Sequence, residues 1–274
     1  GSLRCDTTTR YADESVQANA NKKRHSFDYL VSRVFDEPRV TSYLLDPIRS
    51  ERISSDDHST DGYRILDNVS YPCFTTAGGR RVELREGIWT GDGYSQRLKL
   101  INVPVLKHHD VGGSEITASL KHLYGVLSME DGRYDYRHYD GLGETCGNMV
   151  ARVRAPVLNI IDAIWVSQSS LSGYPAEATT RVNQLVAGQD PVALDYWAAK
   201  YILYPIDDNP RHHPDFPGIQ AWLTDARSVI NRHRALWKPR QGLRAKRSNL
   251  DENRMVLRSY SARDFLEDQL VATA

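Results

Sequence analysis

Apolar positions recur with two different periods along this chain, and each change of period marks a predicted element. Residues 1–25 are polar and end in the basic cluster Lys22-Lys23-Arg24-His25. Ser26 then opens an amphipathic stretch with Phe27, Leu30, Val31 and Val34 at helical spacing, and Pro38 and Pro47 limit the helices of this region. From Ser50 to about Gly93 the chain is rich in Ser, Asp, Gly and Tyr. It reads as loops plus short strands, Arg81-Val82-Glu83-Leu84 among them.

Beyond Gln96 the pattern sharpens. The run Leu98 to Leu106 (LKLINVPVL) is nearly continuous in apolar residues and predicts a strand buried on both faces. Gly112-Gly113 breaks it, and Ser114 is the expected N-cap of a helix with Ile116, Leu120 and Leu123 on one face and Gly125 as its stop. A second strand is expected over Val157 to Ile161, ending at Asp162, and a third over Gln184-Leu185-Val186. Asp190-Pro191 then starts a helix that carries Val192, Leu194, Trp197, Ala198 and Tyr201: an Asp N-cap followed by Pro at the first helical position. Arg254 to Leu270 reads as a terminal helix or ordered tail. Alternating strand and helix patterns predict an α/β fold, a mainly parallel sheet flanked by helices, with an irregular N-terminal region and a helical C-terminal tail. The corresponding organisation is an N-terminal part over 1–95, an α/β core over 96–230, and a basic segment with terminal tail over 231–274.

Composition narrows the class. The 274 residues carry 35 basic and 35 acidic side chains, which argues against a globally basic nucleic-acid binder. The balance hides segregation, however. Asn231 to Arg247 holds seven Lys/Arg and no acid, and subtracting those seven leaves 28 basic against 35 acidic residues elsewhere. That stretch is either a contact for an anionic surface or a solvated tail. No run approaches the ~18 apolar residues of a membrane span. Cys5, Cys73 and Cys146 lie far apart without a CxxC pair, so the chain alone is expected to hold no iron–sulfur cluster and no zinc cassette. The opening residues show no signal-peptide pattern, and Gly1-Ser2 stands where an initiator Met is expected. Cytoplasmic and exported locations therefore both stay open.

The candidate chemistry concentrates at Pro104 to Ser114. A strand delivers Lys107, His108, His109 and Asp110 at its carboxyl end, where ligands bind in open α/β sheets. A helix starting at Ser114 would aim its amides at the same place, suited to a carboxylate or phosphate, with Lys121 two turns in. The alternative is a set of solvated loop residues. Asp162 is either a strand-end site residue or a turn former. Asp190 is most simply a cap, and Asp195, between Leu194 and Trp197, is a carboxylate expected to need a partner such as Lys107 or Lys121. His138 is a lone histidine in a polar loop, and His212-His213 in a Pro-rich loop read as solvated rather than metal-binding. Cys146 has no base at a telling spacing. GxGxxG, GxxxxGK[ST], GxSxG and HExxH do not occur.

The stretch Val103 to Gly125 resembles the signature of a prokaryotic family known only as domain of unknown function 362, often associated with ferredoxin-type iron–sulfur proteins. That family's strand ends Pro-x-Leu-Lys-x-His and its helix reads Thr-x-x-Leu-Lys-Asn-x-x-Gly. Here Lys107, His109, Thr117, Leu120, Lys121 and Gly125 fill the pattern, while His122 replaces the Asn. His138, the block LNIIDA at Leu158 to Ala163 and VAGQDPVALD at Val186 to Asp195 match further blocks in order. The family's Lys-Pro-Asn-like opening strand is missing before Gln96, so the N-terminal part is divergent or truncated. The resemblance implies a shared site with Lys107, His109, Lys121, His138 and Asp162 as catalytic candidates and Thr117, Asp190 and Asp195 as binding ones, to which the strand-end reading adds His108 and Ser114. His109 and His138 are its candidate ligands for a transition metal. Two readings follow. One is an enzyme-like domain that binds a small anionic substrate or cofactor with histidine acid/base, redox-associated or metal-dependent chemistry. The other is a non-catalytic binding or maturation module serving an iron–sulfur partner.

Overall fold

The computed structural model describes residues 2–5, 40–45, 52–67, 69–109, 115–126, 141–171, 176–236 and 258–261. The amphipathic stretch at Ser26, together with Ser114, His138 and the basic segment past residue 236, lies outside those residues. Two compact units emerge: Gly1–Leu98 with Gly125–Tyr134, and Lys99–Tyr124 with Asp135–Ala274.

In the first unit, β1 (Ser2–Cys5) pairs in parallel with β2 (Ser42–Leu45). The Ser- and Tyr-rich stretch after residue 60 forms a five-stranded antiparallel meander: β3 (Gly62–Leu66), β4 (Val69–Thr75), β5 (Arg81–Glu83), β6 (Gly87–Trp89) and β7 (Tyr94–Ser95). Val69, Tyr71, Cys73, Phe74, Val82 and Leu84 are its core. Asp67 takes the left-handed conformation (φ 52°) in the tight β3–β4 turn. At Gly87 (φ 110°) a Cβ would lie 2.2 Å from the Ser95 carbonyl oxygen, so only glycine lets β6 approach β7.

The second unit is α/β. Its sheet joins β8 (Ile101–Asn102), β9 (Val105–His108), β10 (Ile116–Thr117), β11 (Leu158–Ser167), β12 (Thr179–Gly188) and β13 (Arg258–Ser261). The main path runs β10-β9-β11-β12-β13, with β8 also on β11. It is a mixed sheet: β8 and β9 run parallel to β11, whereas β12 follows β11 antiparallel and β13 follows β12 antiparallel. Arg258–Ser261, inside the stretch read as a terminal helix or ordered tail, thus adds a strand paired with the edge of β12.

The helices are α1 (Ser119–Tyr124), α2 (Leu142–Asn148), α3 (Pro191–Ala198), α4 (Tyr204–Asp207) and the long C-terminal α5 (Pro217–Leu236). Single π-helical turns, Met149–Val153 and Ala199–Leu203, extend α2 and α3. Leu106, Ile161, Ala163, Val166 and Val186 from the sheet are buried with Leu120, Leu123, Leu142, Val192, Leu194 and Leu223 from the helices.

The long apolar run divides at Val103-Pro104, since Pro104 has no N–H for the ladder. Its carbonyl still accepts from the Asp162 amide (2.8 Å). Only alternate positions are covered. Asn102 and Leu106 are buried, while Ile101, Val103 and Val105 are about half exposed, at 55%, 53% and 49%. The apolar run is therefore half-buried rather than covered on both faces, and its period of two is masked because the outward positions are apolar as well.

Candidate functional site

Strand alternation sends His108 to the side of buried Leu106 and Lys107 to the other face. The Lys107 ammonium donates to the Leu171 carbonyl (2.7 Å). His108 is half-buried, opposite Ile116 of β10, and its Nδ1 lies 2.9 Å from His212 Nε2. The His212 ring is fully buried, and its Nδ1 lies 3.1 Å from Asp207 Oδ1.

The chemistry of the three groups fixes the direction of this chain. A carboxylate only accepts, so with both rings neutral His212 Nδ1–H donates to Asp207 and His212 Nε2 is left to accept from His108 Nδ1–H. His108 Nε2 then carries the lone pair. The result is an Asp–His–His relay that reaches a half-buried imidazole.

The chain that builds the relay is irregular where it must turn. The π turn Ala199–Leu203 re-phases the helix ahead of α4, which brings Asp207 to its end. Asp208 follows in the left-handed conformation (φ 51°), and Asn209 caps the short 3-10 turn Pro210–His212 by accepting from the Arg211 amide (3.1 Å). Beside His212, Arg211 makes a bidentate pair with Glu115 (Nε–Oε2 3.0 Å, Nη2–Oε1 2.7 Å) and lies 5.2 Å over the Phe216 ring. Glu115 is buried with φ 55°, and its carbonyl accepts from the His109 amide (2.8 Å). This pair ties the chain entering β10 to the turn that carries His212. Left-handed backbone at Glu115 and Asp208, on either side of the relay, is local strain held by these bonds.

The remaining candidates serve other ends. Asp195 is fully buried and accepts from the amides of Ser119 (2.6 Å) and Leu120 (2.9 Å), so the start of α1 is occupied by a carboxylate of the protein itself. The helix begins at Ser119 rather than Ser114 because Ile116 and Thr117 are taken up in β10, where Thr117 faces Lys107. Burial raises the Asp195 carboxyl to about 7 against the downward pull of those two amides. Lys121 is buried on α1, its ammonium 5.4 Å over the Tyr124 ring, and its charge and that of Asp195 both reach the Cys146 thiol on α2. Burial pushes that thiol up to about 12, which makes it a poor nucleophile. Lys107 is thus on a carbonyl, Lys121 in the interior and Asp195 on the start of α1.

Asp190 caps α3, accepting from the amides of Val192 (3.0 Å) and Ala193 (3.2 Å). Asp162 lies in the middle of β11, not at its end. It accepts from the Ile164 amide (2.9 Å) where the register with β12 slips between Ala163 and Trp165, so it satisfies a backbone group the bulge releases. Of the other candidates, His109 is half-buried beside Glu115, while Ser114 and His138 fall outside the described residues. Among the described residues no group of three or more His, Cys, Asp and Glu side chains is placed to hold a metal ion. His212, Asp207, Arg211 and Glu115 are the partners that sequence reasoning passed over. Their signal was present only as a His-His pair in a Pro-rich loop.

A family model described as a domain of unknown function, DUF362, matches residues 83–200. That segment contains Lys107, His108, Glu115, Asp162, Asp190 and Asp195, whereas Asp207, Arg211 and His212 follow it. No curated protein and no solved structure matches the chain.

Proposed function

With residues 83–200 a domain of that family, we propose that this chain moves a proton to or from a small molecule at His108, whose imidazole is oriented, and its tautomer set, by His212 and Asp207. The carrying observation is the unbroken hydrogen-bonded chain from the Asp207 carboxylate through the buried His212 ring to His108. The carboxylate only accepts, so it holds the proton on His212 Nδ1, and His212 Nε2 in turn holds the proton on His108 Nδ1, which leaves His108 Nε2 as the atom that can take up a proton. A metal-dependent version of the reading would use His108 Nε2 as a ligand atom.

Carbethoxylation of neutral imidazole, mapped by mass spectrometry, tests the proposal without a known substrate. Asp207→Asn removes the charge at nearly constant volume and is expected to slow labelling of His108 while leaving His233 unaffected. Equal labelling of His108 in both proteins would overturn the reading.

A further inference from the structure

The first unit holds a second chain of proton-bearing groups that the site at His108 does not use. Glu83 of β5 is fully buried and forms an ion pair with Arg64 (2.7 Å). Its other oxygen accepts from the Tyr94 hydroxyl, Tyr94 Oη is 2.8 Å from His58 Nδ1, and His58 Nδ1 also stands 3.5 Å from that Glu83 oxygen. The imidazole lies flat on the Trp89 indole, centroids 4.1 Å apart and planes 11° from parallel, so its plane is fixed. The His58 side chain is 30% exposed, and Nδ1 is turned inward to Tyr94. The edge that meets solvent is therefore the one bearing Nε2.

From this geometry we infer that Glu83, Tyr94 and His58 form a second proton-transfer site, with His58 Nε2 as its exposed end and a neutral proton donor, an acidic O–H or C–H of a small molecule, as its ligand. A hydroxyl has one proton. While Glu83 is a carboxylate Tyr94 donates to it, and Tyr94 Oη accepts from His58 Nδ1–H. His58 Nε2 is then a lone pair. When a ligand at Nε2 gives up its proton, Nε2–H forms, the Nδ1 proton passes to Tyr94 Oη, and the Tyr94 proton passes to Glu83. The ligand leaves as its conjugate base, Glu83 becomes a neutral acid, and no further reactant is needed. Burial raises the Glu83 carboxyl, against the pull of the Arg64 and Arg81 charges, which suits it to accept that proton. Tyr94 and Glu83 are positioning residues here, and His58 is the group that meets the ligand.

Nitrogen-15 chemical shifts of the His58 ring at about pH 8, above the ordinary imidazole value, read the tautomer directly. The wild-type protein is expected to show a protonated Nδ1 and a bare Nε2. Tyr94→Phe removes one hydroxyl and keeps the ring; it leaves Nδ1 only the Glu83 oxygen 3.5 Å away, and is expected to shift the tautomer population from Nδ1–H toward Nε2–H. Wild-type protein with Nε2–H, or Tyr94→Phe with the wild-type tautomer, would overturn the relay. Glu83→Gln gives a second measurement: a carboxamide that turns its NH2 to Tyr94 forces the hydroxyl to donate to His58, so the same switch to Nε2–H is expected. A folded Glu83→Gln protein that keeps Nδ1–H would also sink the idea.

Discussion

His108 Nδ1 and His212 Nε2 stand 2.9 Å apart although 104 positions separate them in the chain. Both nitrogens of the His212 ring are engaged, and the ring has no exposed surface. Truncation by His212→Ala is expected to open a cavity and to strand His108 Nδ1 and Asp207 together. The combined cost is about 2–4 kcal/mol, measured as a lower denaturant midpoint with an unchanged slope. A loss below about 0.5 kcal/mol would show that the ring is not held as described.

Local signals carried the elements that rest on a single chemical device. Asp190-Pro191 announces a helix start because an Asp acceptor and a ring-fixed φ act within one turn, and the structure has that cap. The apolar residues of the second unit likewise place its strands and the buried face of α1. What sequence does not show is pairing across distance. His212 was read as solvated because its loop is polar and Pro-rich, yet the partner that buries it is a strand residue far upstream. Asp162 looked like a strand end because Asp is a poor strand former, but a bulge gave its carboxylate a backbone amide to serve. Lys107 and Lys121 share a sequence block, and the fold sends one to a carbonyl and the other to the interior. The meander of the first unit was legible only as short strands, since its buried charges Arg64, Arg81 and Glu83 break the apolar alternation.

The Glu115–Arg211 pair is unequal, and its two halves are expected to respond differently. Glu115 is 1% exposed and Arg211 40%. Arg211→Ala strands a buried carboxylate and is expected to lower the denaturant midpoint, by less than an enclosed pair would because solvent screens the exposed arginine. Glu115→Gly removes the buried charge and relieves the left-handed strain at φ 55°, so its cost is expected to be smaller. Urea denaturation of the two variants checks the order, and the reverse order would contradict the burial argument.

Asp195 makes stability depend on pH in an unusual direction for a carboxylate. Its carboxyl is raised to about 7 in the fold from the ordinary 3.8, so the folded state holds the proton more tightly than the unfolded one. The contribution is complete below about pH 4 and is lost as pH rises through about 7, on a scale of about 4 kcal/mol at most. Asp195→Asn cannot titrate, and its amide cannot accept from both Ser119 and Leu120. It is therefore expected to be less stable at low pH but to lack this slope between pH 4 and 7. Denaturation series across that window, run on both proteins, decide the matter; parallel slopes would refute the assignment.

Helix α2 meets α5 through two glycines one turn apart, and this contact sets how closely the helices pack. A Cβ on Gly143 would lie 2.3 Å from the Trp222 carbonyl oxygen and 2.8 Å from Asp225 Cβ. On Gly147 it would lie 2.8 Å from Val229 Cβ and 3.0 Å from the Ala226 carbonyl oxygen. In an isolated helix, Gly→Ala gains up to about 1 kcal/mol. Here the obstacle at Gly143 is backbone that cannot rotate away, and overpacking of this kind costs about 1–3 kcal/mol. Gly143→Ala is thus expected to be clearly destabilising in thermal melts and Gly147→Ala less so, because its nearest obstacle, Val229 Cβ at 2.8 Å, lies farther off than the 2.3 Å carbonyl oxygen at Gly143. Either substitution alone must push the same pair of helices apart. The double variant is accordingly expected to lose less than the sum of the two, since the second methyl enters space the first has opened. Strict additivity would mean that the two contacts yield independently, by local side-chain shifts rather than by separation of α2 from α5.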